Sequence, residues 1–214
     1  MEIWQNEIKT IPESIGSLSS LKELYIDNYK FEALPESIGN LSSLEIFEFS
    51  GNKLRKLPES FGNLKSLKEM RISFGYSGAL PESFGNLKSL KKLLIYSNMK
   101  EPLPYSFGNL ASLEKLDISC PNLPESFGNL SSLRELSING KNSDMNHLPD
   151  SFGNLSSLES LKLYKTKIET LPESFGDLRK LKYLMIIDSN IKKIPDNLKK
   201  YLYLEELIPE DSNN

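Results

Sequence analysis

The sequence predicts an α/β-type solenoid: short parallel strands form one side of a stack, and short turns or 3-10 segments run along the other. Three observations lead there. The dipeptide Leu-Pro or Ile-Pro begins at Ile11, Leu34, Leu57, Leu80, Leu103, Leu123, Leu148, Leu171 and Ile194, at intervals of 23, 23, 23, 23, 20, 25, 23 and 23 residues. The stretch after each is nearly fixed, reading LPESFGNLKSL from both Leu57 and Leu80. Between these stretches apolar and polar residues alternate, as a strand with one buried face requires. Such a unit cannot bury its apolar side alone, and stacking identical units gives a continuous core.

With Leu21 as position 1 of a unit, positions 1, 4 and 6 are the core columns. They read Leu21/Leu24/Ile26, Leu44/Phe47/Phe49, Leu67/Met70/Ile72, Leu90/Leu93/Ile95, Leu113/Leu116/Ile118, Leu133/Leu136/Ile138, Leu158/Leu161/Leu163 and Leu181/Leu184/Ile186. In the convex stretch Ile15, Ile38, Phe61, Phe84, Phe107, Phe127, Phe152 and Phe175 are expected to point inward, each followed by a glycine. A glycine fixed eight times implies positive φ or close packing rather than eight ligand sites. The GNLS sequons at Asn40, Asn129 and Asn154 are by-products of this motif.

The pattern resembles the leucine-rich-repeat family, whose unit is L-x-x-L-x-L-x-x-N-x-L followed by a variable convex segment. The resemblance covers about residues 1 to 200 and implies a leucine-rich-repeat horseshoe. The LPESFGNLxSL segment is similar to the typical-length class of intracellular plant Ras-group-related and bacterial or archaeal repeat proteins. It divides the chain into a partial amino-terminal repeat or cap at 1–20, eight units at 21–197, and a carboxy-terminal cap and frayed tail at 198–214. The family's ladder asparagine falls at position 9. Asn6, Asn52 and Asn98 occupy it; Tyr29, Gly75, Pro121, Lys141, Thr166 and Ser189 replace it elsewhere. Threonine and serine can partly supply the missing bond, and tyrosine, proline and lysine are expected to leave irregular turns.

Residues 118 to 150 are the least regular. One unit loses three residues after its strand and the next gains two. Pro121 is expected to end its strand early, and residues 140 to 147 to bulge at the sheet edge, where a non-repeating segment is a candidate for contact specificity. At the amino end Ile3 and Trp4 align with positions 6 and 7, so the chain starts partway into a strand, either as a minimal cap or where a longer ancestor was cut. At the other end Tyr201, Leu204 and Leu207 are expected to cover the last core layer.

Composition narrows the function classes. The formal net charge of -3 and pI near 5.4 argue against a nucleic-acid partner, which calls for a basic face. No apolar run is long enough to span a membrane, and MEIWQNEIKT lacks the form of a signal segment. With a single cysteine, these features give the expectation of a cytoplasmic protein with no membrane partner. One histidine, His147, makes a His-rich metal site or triad within the chain untenable. There is no GxxxxGK[ST] loop and no kinase signature. Cys120 falls at concave position 8 and reads as a small exposed residue. No enzyme activity, catalytic residue, cofactor or metal is expected.

The concave columns at positions 3, 5 and 7 vary while the core columns hold still, which points to a surface free to specialise. Large groups cluster twice: Tyr25, Ile46, Phe74, Leu94 and Tyr96 toward the amino end, and Tyr164, Tyr183, Met185 and Ile187 toward the carboxy end. Tyrosine and apolar anchors dominate many protein interfaces. Glu48, Arg71 and Lys162 belong to a mixed-sign charge pattern suited to a complementary protein or peptide. The expected function is therefore a protein-protein interaction module binding on its concave face. Two alternatives stand beside it: a structural protein that self-associates through its amino-terminal edge strand, and a receptor for carbohydrate or another ligand.

Overall fold

The computed structural model describes residues 1–4, 8–27, 30, 32–50, 54, 56–73, 78–96, 99–141 and 143–192. Among the described residues, alternation of apolar and polar side chains produces nine strands: β1 (Glu2–Trp4), β2 (Glu23–Asp27), β3 (Ile46–Ser50), β4 (Glu69–Ser73), β5 (Lys92–Tyr96), β6 (Lys115–Ile118), β7 (Glu135–Asn139), β8 (Ser160–Tyr164) and β9 (Tyr183–Ile187). They form one sheet in chain order, every neighbouring pair parallel. The register follows the repeat, so Leu24, Phe47, Met70, Leu93, Leu116, Leu136, Leu161 and Leu184 make one buried row.

Between successive strands the chain makes a five-residue 3-10 segment: η1 (Glu13–Ser17), η2 (Glu36–Asn40), η3 (Glu59–Asn63), η4 (Glu82–Asn86), η5 (Tyr105–Asn109), η6 (Glu125–Asn129), η7 (Asp150–Asn154) and η8 (Glu173–Asp177). Proline precedes each one with φ between -63° and -73°, the angle its ring imposes. The capping group comes from the preceding repeat. Glu13, Glu36 and Glu82 accept the backbone N–H of Ser37, Ser60 and Ser106 at 3.0, 3.2 and 3.2 Å, and Glu125 accepts those of Asp150 and Ser151. An acid there satisfies orphan donors at the start of the segment.

Inside, Phe61, Phe84, Phe107, Phe127, Phe152 and Phe175 stack face to face, with centroids 5.8 to 6.3 Å apart and planes within 5° of parallel. The recurring glycine is explained by close packing, not by positive φ. A Cβ on Gly85 would lie 2.2 Å from the carbonyl oxygen of Ser106, and one on Gly108 only 2.0 Å from that of Ser126. Among the described residues the non-glycine positions with positive φ are instead Lys165 and Asp188, at equivalent places just after β8 and β9.

The irregular repeats depart from expectation in two ways. Cys120 is fully buried, not exposed. With three residues missing, β6 stops at Ile118 and the chain turns inward early. Cys120 thereby takes the interior slot that Leu54, Met99, Met145 and Ile168 fill in other repeats, and burial pushes its thiol up to about 12. Residues 140 to 147 do not simply bulge outward. Ser143 N–H closes a turn onto the Gly140 carbonyl at 2.9 Å, and the Met145 carbonyl accepts Lys167 N–H, so Ser143 and Met145 are buried while Asp144, Asn146 and His147 face out. At position 9 the serine and threonine substitutes do form a ladder: Thr166 N–H and Oγ1–H both donate to Ser189 Oγ, at 3.2 and 2.9 Å. Asn6, Asn52, Asn98, Tyr29 and Gly75, and the carboxy-terminal cap with Tyr201, Leu204 and Leu207, lie outside the described residues.

Two outcomes test this packing. Gly85→Ala forces the next repeat away from a backbone oxygen and is expected to lower unfolding free energy by about 1–3 kcal/mol in urea titration. Cys120, with a thiol at about 12 against an ordinary 9.0, is expected to be alkylated by iodoacetamide at least about a thousandfold more slowly in the native than in the unfolded protein, as read by mass spectrometry.

Candidate functional site

The strands bury one face and leave three columns on the other. Position 5 runs Tyr25, Glu48, Arg71, Leu94, Asp117, Ser137, Lys162 and Met185, each residue paired in register with the next. Position 7 begins Trp4, Asp27, Ser50, Ser73, Tyr96 in the same way. Parallel in-register pairing sets neighbouring side chains of one column side by side, about 4.8 Å apart.

Among the expected contact residues, Tyr96 is exposed at 46% and Arg71 is also open, while Tyr25, Ile46, Glu48, Lys162, Tyr164, Tyr183 and Met185 are half-buried. Leu94 is a correction: only 4% of it is accessible. It lies in the concave column, but Arg71 and Asp117 flank it in register, and it offers little apolar surface to a partner. Phe74 lies outside the described residues. The amino-terminal group is consequently not one apolar patch, since Arg71 sits between Tyr25 and Tyr96 with its guanidinium 6.0 Å from the Tyr96 ring centroid. The carboxy-terminal group does come together. Tyr164 and Tyr183 both direct their hydroxyls to Met185 Sδ, at 3.2 and 3.7 Å, and Lys162 Nζ lies 5.7 Å from the Tyr183 ring.

Much of the mixed charge is paired within the sheet. Lys92 meets Glu69 at 3.3 Å, and Lys115 bonds Glu135. A second ladder at position 2 was not singled out from the sequence: Lys68 and Glu45 at 2.5 Å, Lys91 and Glu114 at 3.2 Å, and Lys182 and Glu159 at 2.6 Å. The bond from Lys68 holds the Glu45 carboxyl below its ordinary value, and Lys182 does the same for Glu159. The mix of basic and acidic residues at position 2 of successive units, Lys22, Glu45, Lys68, Lys91, Glu114, Arg134, Glu159 and Lys182, is the available signal. Exposed pairs of this kind contribute little to stability and align repeats.

Hollows among the described residues interrupt the columns, and two of them concern the site. One, of about 130 Å³, lies between Trp4, Tyr25, Asp27, Glu48 and Arg71, floored by Ser50 and Ser73. The other, of about 220 Å³, lies among Lys115, Asp117, Glu135, Ser137, Ser160, Lys162 and Tyr164. In the second, burial raises the Asp117 carboxyl, an effect only partly offset by the Ser137 bond and by Lys115 and Lys162. Trp4, Asp27 and Asp117 were not among the expected contact residues. Among the described residues no cluster of His, Cys, Asp and Glu could hold a metal ion, and no helix is long and apolar enough to cross a membrane. Cys120, buried and hard to ionise, is unsuited to act as a nucleophile.

A family model described as a leucine-rich repeat region matches residues 47–147 and 125–212. Similar solved structures include a leucine-rich-repeat protein of Leptospira interrogans (24% identity, TM-score 0.73, covering 89% of this chain and 55% of that one). The leucine-rich repeat domain of the type III effector XopL is also similar (23% identity, TM-score 0.62, covering 86% and 75%). So is the plant peptide hormone receptor RGFR1 in complex with RGF2 (27% identity, TM-score 0.71, covering 92% and 36%). The chain thus spans about half of the Leptospira protein and about a third of the receptor. Among curated protein sequences none matches.

The Asp117 environment makes a signed prediction. Its folded carboxyl titrates above the ordinary 3.8, so the folded chain holds that proton more tightly than the unfolded chain does. The ionised form therefore carries a penalty at neutral pH that grows as pH rises from 3.8 through the higher folded value. Asp117→Asn is expected to raise the urea midpoint at pH 7, and the difference from wild type to close as pH falls below that window.

Proposed function

The chain belongs to the leucine-rich-repeat family, and from that premise we propose that it is a protein-interaction module that grips a protein or peptide partner on the concave face of its sheet, without a chemical step. The observation that carries this is the division of labour in the strands: one face is uniform and closed into the core, and the other is a fixed grid of varied side chains. A rigid grid limits the ordering cost of association, so contacts translate into affinity. The patch of Lys162, Tyr164, Tyr183 and Met185 serves as one anchor, with tyrosines offering large contact area and a polar tip. The similarity to a receptor fold held in complex with RGF2 supports the reading. We place the module in the cytoplasm and in the typical-length class of the family, on the basis of its single cysteine and its repeat length.

The test is comparative capture. The purified chain, Tyr96→Glu, Tyr164→Glu and the convex control Tyr105→Ser are immobilised and exposed to extract from the native source, and captured proteins are quantified by mass spectrometry. Tyr105 is 69% exposed on η5, on the opposite side of the stack. A protein held by wild type and Tyr105→Ser, but reduced about tenfold or more by the two concave variants, is the expected result. Equal loss on the convex variant, or retention by both concave variants, overturns the concave assignment.

A further inference from the structure

We propose that the hollow at the amino-terminal end of the concave sheet is a seat for one arginine or lysine side chain of the partner. This rests on the concave-face reading above and deepens it.

The hollow follows from a size pattern along one column. Position 7 reads Trp4, Asp27, Ser50, Ser73, Tyr96 across five successive strands, so two small residues lie between large ones. The resulting cavity of about 130 Å³ has room for a single side chain. Trp4 is 59% exposed, and its indole N–H is tied to Glu2 Oε2 at 2.8 Å, which fixes the ring beside the opening. Tyr25 forms another part of the wall, its hydroxyl donating to Glu23 Oε2 at 3.1 Å.

The electrostatics select the sign of the occupant. Asp27 and Glu48 line the hollow, and Glu2 and Glu23 adjoin it through Trp4 and Tyr25. Asp27 Oδ1 is buried and has no hydrogen-bond partner among the described residues. An uncompensated buried oxygen favours a cation brought alongside it. The negative field registers at Tyr25, whose hydroxyl is raised first by burial and then by Glu23, Glu48 and Glu2. Arg71, the one basic residue among the described lining residues, has its guanidinium 6.0 Å from the ring centroid of Tyr96, which lies outside the lining. Aromatic walls with carboxylates at their edge match a guanidinium or ammonium on an apolar stem: the stem lies along the rings, and the head meets the carboxylates. An acidic side chain would meet repulsion there.

Trp4 is the only tryptophan in the chain, so its fluorescence reports on this wall directly. The probes are acetyl-Gly-Arg-Gly-amide, the isosteric neutral citrulline peptide, and acetyl-Gly-Glu-Gly-amide, each titrated into the full chain up to roughly 10 mM, a range that reaches weak, millimolar affinities. The expected result is a saturable change in Trp4 emission with the arginine peptide alone. It weakens with added salt, and roughly tenfold or more in Asp27→Asn/Glu48→Gln. Glu48→Gln alone, on the half-open face, gives the same direction should the double variant fail to fold by circular dichroism. An equal response to citrulline or glutamate, an unchanged response in the variants, or no saturable response overturns the proposal. If the titration fails while capture still depends on Tyr164, the seat is wrong and the concave reading stands. Loss of both removes the broader reading as well.

Discussion

Everything in this molecule answers to one constraint: each repeat must sit on the next at a fixed, very short distance. On the strand side that distance is the hydrogen-bonding interval of a sheet, about 4.8 Å. On the phenylalanine side the rings stack at 5.8 to 6.3 Å. The mismatch curves the stack toward the strands, which is why the sheet lies on the inside. The glycine of each segment from η1 to η7 is the point of closest approach, where the next repeat's serine carbonyl occupies the space of a Cβ. Phenylalanine sets the thickness of a layer, glycine permits the contact, and proline fixes how the chain enters it.

Because the constraint acts equally at every layer, variation is confined to places that do not touch it. The concave columns tolerate tyrosine, serine, lysine or aspartate at one position because neighbours there meet side by side and not through the core. The position-2 pairs such as Lys68 with Glu45 run along the stack for the same reason. The functional surface and the folding surface are thus nearly separate sets of residues. A partner-binding substitution such as Tyr164→Glu can alter recognition with little disturbance of the row beneath it.

The same logic explains what was legible beforehand. Core columns, strand register, the inward phenylalanines and the early end of β6 follow from repetition and from proline alone. Cys120 was misplaced because a fixed position number was carried through a repeat three residues short; the interior slot, not the count, decides where a residue goes. Leu94 was misjudged because exposure on a dense side-chain grid depends on neighbours, here Arg71 and Asp117. The hollow beside Trp4 is not legible in the large residues, which mark anchors; a cavity is written in small ones such as Ser50 and Ser73.

The capping glutamates give the stack a direction. Glu13, Glu36, Glu82 and Glu125 each serve the repeat that follows, never the one before. Peeling a layer from the carboxy-terminal side leaves the inner layer's own cap intact, whereas peeling from the amino-terminal side strips the cap of the layer newly uncovered. Loss of order along the coil is therefore vectorial, easier when it propagates toward the amino terminus. At η5 a tyrosine stands where the other segments have an acid, and Ser126 is held through its hydroxyl to the Tyr105 carbonyl. At that boundary, next to the shortened repeat, a peeling front loses this directional bias.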